Sequence, residues 1–127
     1  MSNLCRVLVG FVAIEHLGFL VLEMFLWQTP AVMARFGTTP EFAAASAALA
    51  MNQGLYNGFL SAGLVWALAM KDDQRERSTA RFFLGCVIVA GLFGGATAKL
   101  SIVFVQALPA LLAFAATFSA SRPVARA

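Results

Sequence analysis

Apolar residues run almost unbroken through four stretches of this chain, and polar residues collect in short clusters between them. The stretches cover about 4–27, 42–70, 82–98 and 101–119. A membrane-crossing helix needs about 20 predominantly apolar residues, within a range of about 17–25. The pattern therefore predicts an all-α fold, an integral-membrane bundle of four helices. The second helix is long enough to tilt or protrude, and the third is short. The runs are continuous and do not alternate, which excludes a closed β-barrel. The first run reads as a retained span and not as a signal peptide. Glu15 and His16 interrupt its apolar core, and Glu-Met-Phe-Leu-Trp stands where a small-residue cleavage site would fall.

The breaks between stretches have their own grammar. Gln28, Thr29 and Pro30 close the first, and the residues from Ala31 to Phe36 lead to Gly37. A cap, a first-turn proline and a glycine stop predict a short helix there, lying at the interface with Trp27 and Phe36 at headgroup level. Thr39-Pro40-Glu41 repeats the cap-and-proline signal and opens the second long helix. The 71–81 segment, KDDQRERSTAR, is the most polar in the chain and reads as a solvated loop. Residues 97–101 read as a tight turn.

Composition sharpens this picture. Of 127 residues, 61% are hydrophobic and 12% charged, with a mean hydropathy of +0.82. A soluble domain is about 25% charged, so the expected solvent is lipid, and residues 1–127 form a single membrane domain with no room for a separate soluble catalytic one. The net charge of +3 does not point to nucleic acid, because the basic residues stand at the ends of apolar segments. With four spans, one side holds Arg6, Lys71, Arg75, Arg77, Arg81, Arg122 and Arg126, and the other only Arg35 and Lys99. An excess of Lys and Arg marks the cytoplasmic side, so both termini are expected in the cytoplasm of a cell whose inner membrane holds the chain. Cys5 and Cys86 fall near the cytoplasmic ends of their helices. A reducing compartment argues against a disulfide there, and no C-x-x-C motif is present.

Candidate chemistry lies inside the apolar runs. Glu15 and His16 sit mid-span in the first helix, and Glu23 follows seven residues after His16, about two turns on and on nearly the same face. A charge at bilayer depth costs roughly 2.5–3.5 kcal/mol on insertion scales, so such residues normally face protein or water and do a job. In the second helix, NQGLYNGFLSAGL places Gln53 and Asn57 on one face, Asn52 off it and Tyr56 beside it. Gly54, Gly58 and Ala62 form a row of small residues that lets another helix approach closely, and Gly91 and Gly95 repeat the device in the third helix. Gln106 and Pro109 stand early in the fourth. Taken with their depths, these residues predict a polar cavity in the outer half of the bundle, lined by His16, Glu23, Gln53, Asn57 and Gln106 and closed by Lys99 or Arg35. The plainer alternative makes the amides interhelical hydrogen bonds, worth about 0.6 kcal/mol each. It also ties Glu23 to Lys99 and pairs Glu15 with His16. Glu15, His16 and Glu23 offer at most three metal ligands, and no metal or other cofactor is assigned.

The strings EHLGFLVLEMFLW, NQGLYNGFLSAGL, CVIVAGLFGGAT and FVQALPALLA resemble an uncharacterised bacterial integral-membrane family, domain of unknown function thirteen-zero-four. The resemblance covers about 7–113. It implies a small four-helix inner-membrane protein and no established activity. Family members often carry an aromatic residue where this chain has Gly18. The family is also loosely similar to the DoxX-like group of four-helix membrane proteins.

Three functions fit these residues. The first is a module that binds or transports a small amphipathic molecule or ion, proton-coupled through Glu15, His16 or Glu23, and built as a homodimer because four helices are few for a path. The second is an enzyme performing acid–base or redox chemistry on an isoprenoid-, sterol- or quinone-like substrate. The third is an accessory subunit docked on a larger complex through its glycine rows.

Overall fold

The computed structural model describes residues 1–119. Arg122 and Arg126, which entered the charge count, lie outside the described residues. The elements are α1 (Asn3–Phe25), α2 (Pro30–Phe36), α3 (Pro40–Ala69), α4 (Asp73–Thr97), a π-helical turn (Val103–Ala107) and α5 (Leu108–Ala116). The described residues are all-α, and α1 and α4 are long and apolar enough to cross a membrane. Val103–Ala116 is apolar but shorter.

The punctuation between α1 and α3 does what its chemistry requires. Thr29 precedes a proline, which disfavours helical geometry, and it is extended at φ −76°, ψ 147°. Its hydroxyl donates to the Leu26 carbonyl at 2.7 Å and satisfies one of the last carbonyls of the preceding helix. Pro30 opens α2, and Gly37 closes it in the left-handed region at φ 68°. The Gly37 and Thr38 N–H groups both donate to the Met33 carbonyl, a geometry that glycine adopts without a Cβ penalty. Thr39 then accepts from the Phe42 N–H at 3.2 Å and caps α3.

One expectation fails here. The 71–81 segment is not a solvated loop: from Asp73 onward it is the first two turns of α4. Asp72 is the cap, its Oδ1 accepting from the Arg75 N–H at 2.7 Å. Asp73 and Glu76 put negative charge in the first turn, where the helix dipole favours it, and Asp73 pairs with Arg77 one turn on at 3.0 Å. Local caps and i,i+4 pairs outweigh the polarity that suggested a loop.

The chain divides into two compact units. One joins Met1–Ala13 to the chain from Ala62 onward, and the other is Ile14–Ser61. In the first unit Cys5, Val9, Leu64, Ala67, Leu84 and Val87 are fully buried. Close approach of α4 to the π turn depends on missing side chains. A Cβ on Gly91 would lie 2.7 Å from the Ala107 nitrogen, and one on Gly95 would overlap a methyl of Val103. The π turn has a local cause in Pro109, which has no N–H for the Val105 carbonyl and whose ring would crowd it in α register. The wider turn shows in the Leu108 N–H, which donates to the Val103 carbonyl five residues back.

An ionic clasp also belongs to this unit. Glu76 is only 3% exposed and accepts from the Arg6 guanidinium and, at 2.8 Å, from the Met1 ammonium. Burial works against that ammonium, but its hydrogen bonds and charge contacts with Asp73 and Glu76 outweigh it and raise its pKa above the ordinary value. Arg6 also donates to the Leu68 carbonyl at 2.8 Å. Arg77 and Arg81 of α4 donate to the Thr117 carbonyl at 2.6 and 2.9 Å. They thereby neutralise the carbonyl end of α5, where cations are favoured.

Candidate functional site

The second unit contains Glu15, His16 and Glu23 of α1, and α3 as far as Ser61. Small residues let these helices meet. A Cβ on Gly54 would lie 3.1 Å from both the Glu23 Cβ and the Leu20 carbonyl oxygen, and 2.6 Å from the Met24 side chain. A Cβ on Gly58 would lie 2.6 Å from Leu20. Four residues along α3, these two glycines hold the backbone close enough for a short amide to reach across.

Asn57 is that amide. Its Nδ2 donates to Glu23 Oε2 at 2.7 Å and also approaches its own helix at the Gln53 carbonyl, 3.3 Å away. Asn57 is 6% exposed, and Glu23 is half-buried. A hydrogen bond to a charged group contributes about 1.5–3 kcal/mol, roughly twice a neutral one. Asn57 is thus placed to stabilise the carboxylate without neutralising it, as Lys or Arg would.

The other candidates fall into distinct positions. His16 is fully buried, and its ring meets Phe19 edge-on, with centroids 5.4 Å apart. Helix rise puts it about 10 Å from Glu23 along α1, beyond direct hydrogen bonding. Glu15 is half-buried, and among the described residues its enclosed Oε2 has no hydrogen-bond partner. Asn52 and Gln53 are exposed side chains. Of the α3 amides, therefore, only Asn57 meets Glu23, although Gln53 shares its helical face. Gln106 is half-buried on the π turn of the other unit. Beyond Glu23, α1 ends in Trp27, whose Nε1 donates to the Ser46 hydroxyl at 3.0 Å and whose ring lies 5.3 Å from that of Phe36. Among the described residues no three of His, Cys, Asp and Glu gather in a metal-holding group.

Sequence reasoning missed Glu76 and its partners, Arg6 and the Met1 ammonium. The signal was present as a helical stripe, Glu76, Ala80, Leu84, Val87 and Gly91, all buried. Its first member is charged and sits among other charges, which hides the stripe in the sequence.

No solved structure matches the chain. The chain is similar to the uncharacterized protein YpaA of Lactococcus lactis subsp. lactis, with 30% identity over 120 residues, covering 93% of this chain and 99% of that protein. The family described as "Protein of unknown function (DUF1304)" matches residues 10–118, across both units and every residue of the Glu23–Asn57 site. On that match the chain belongs to the DUF1304 family.

Proposed function

We propose that this chain is a four-span inner-membrane protein with both termini cytoplasmic, and that it binds or transports a small amphipathic molecule or ion by means of a protonatable carboxylate held inside the membrane. The observation that carries this reading is the 2.7 Å hydrogen bond from Asn57 to Glu23, between two helices that expose many large apolar side chains. Leu17, Val21, Leu49, Leu55 and Phe59 of these helices are exposed, and so are Leu4, Val7, Phe11 and Ile14 earlier on α1. Contiguous exposed apolar surface of this kind calls for lipid or a partner. An ionisable residue among such surfaces is expensive unless it serves binding, relay or transport.

The chemistry follows from the donor set. Glu23 offers one carboxylate oxygen to Asn57 and keeps the other for a proton or a cationic group. His16 and Glu15, two turns deeper on α1, are further proton carriers on the same helix. A carboxylate that exchanges a proton for a cation couples their movements without metal or covalent chemistry. The orientation rests on the excess of Lys and Arg beside one end of the spans, and a homodimer would enlarge a path that four helices make narrow. In proteoliposomes loaded with a pH-sensitive dye, the reading expects an inward cation gradient to shift internal pH. It expects the shift to vanish in Glu23→Gln and to weaken in His16→Ala. An unchanged shift in both variants would remove the coupling role from these residues.

A further inference from the structure

An exposed side of α4, in the unit that does not contain Glu23, has a shallow groove of about 720 Å³. It starts at Arg81, runs past Phe82, Gly85, Cys86 and Val89, and ends at Phe93. Its lining is apolar except at the arginine. Phe82, Val89 and Phe93 stand exposed as its walls, and Gly85 leaves its floor open, since a Cβ there would meet nothing within 4 Å. Helix rise makes the distance from Arg81 to Phe93 about 18 Å, close to the roughly 15 Å hydrocarbon depth of one leaflet.

Arg81 is fixed in place at the groove's polar end. Its Nε donates to the Thr117 hydroxyl at 2.8 Å and its Nη2 to the Thr117 carbonyl at 2.9 Å. Its guanidinium carbon lies 3.9 Å from the centre of the Phe118 ring. Nη1 takes no part in those two hydrogen bonds. A guanidinium immobilised on one edge presents its other N–H groups at no further cost in side-chain freedom, which suits a phosphate oxygen.

We infer that this groove is a binding site for an anionic phospholipid, with its phosphate on Arg81 and one acyl chain lying along α4 over Gly85. The inference rests on the reading of α4 as a membrane span. Charge and length both select this occupant. A second copy of the chain docked two-fold on the same stripe, in the same membrane orientation, would bring two Arg81 side chains to one level and set like charges against each other. A phosphate at that level neutralises the arginine instead, and basic pockets at the cytoplasmic ends of membrane helices favour anionic headgroups.

The test exchanges the purified full chain into mild detergent with equal amounts of phosphatidylglycerol and phosphatidylcholine carrying identical acyl chains. Native mass spectrometry then reads which lipid is retained. The site predicts retention of phosphatidylglycerol over phosphatidylcholine by about tenfold, and loss of that preference in Gly85→Phe, whose Cβ has open space and whose ring would occupy the groove. Excess inorganic phosphate should leave the bound lipid in place, because the acyl chain contributes to the hold. Equal retention of the two lipids, a Gly85→Phe variant that retains lipid like the parent, or displacement by phosphate alone would overturn the site. Cys86–Cys86 disulfide cross-linking in place of lipid retention would also overturn it, in favour of a second copy. The parent reading fails separately, if the chain leaves the membrane fraction on alkaline washing.

Discussion

At the residue scale, the account turns on Glu23 and Asn57. Removing the donor leaves a half-buried carboxylate without its partner, a loss of about 1–3 kcal/mol when such a group is enclosed. Replacing both partners with apolar groups of similar shape can be nearly neutral. Asn57→Leu should therefore lower thermal stability in detergent more than the double variant Glu23→Leu/Asn57→Leu does, and a double-mutant cycle on Tm should give a clear coupling. Independent, additive effects would mean that the 2.7 Å bond carries no energy. The spacing of polar residues along the chain made both participants visible as candidates. It did not reveal which α3 amide would reach Glu23, because Gln53 and Asn57 share a helical face. Their roles are separated by the contact of Gly54 and Gly58 with Leu20, Glu23 and Met24, a packing fact that periodicity does not encode. Gly18 is the complementary case: a Cβ there would meet nothing within 4 Å, so close packing does not require glycine at this position.

At the element scale, local signals succeeded where one residue decides the backbone. Thr29-Pro30 and Gly37 bound α2 as their chemistry dictates, and Thr39-Pro40 starts α3. They failed over 71–81, where charge density suggested a loop. An acidic cap, two acidic residues in the first turn and an i,i+4 ion pair made a helix instead. The π turn was no more legible, since its cause is split between Pro109 and the tight seat of Ala107 on Gly91. This split yields a sharp contrast between two glycines of α4. Gly85→Ala has open space and should gain the roughly 0.5–1 kcal/mol that alanine gives over glycine in a helix. Gly91→Ala must push against the Ala107 backbone at 2.7 Å and should lose stability. Thermal unfolding of the two variants measures the difference. Equal shifts of the same sign would show that α4 and the π turn are not in close contact.

At the scale of the whole molecule, the continuous apolar runs made the all-α class readable, and two of the helices they form, α1 and α4, are long and apolar enough to cross a membrane. Two units with separate polar centres were not readable. The Glu76 clasp joins α4 to the first part of α1 and the last part of α3, whereas the Glu23 pair joins later α1 to earlier α3, and only contacts assign the parts of α1 and α3 to different units. The central claim is that Glu23 is a protonatable carboxylate held within the bilayer. Carbodiimide labelling of the chain in native membranes, read by peptide mass spectrometry, tests it most directly. The account predicts that a membrane-soluble carbodiimide modifies Glu23, while a water-soluble one modifies Asp72 and Asp73 and spares Glu23. Modification of Glu23 by the water-soluble reagent alone would contradict it.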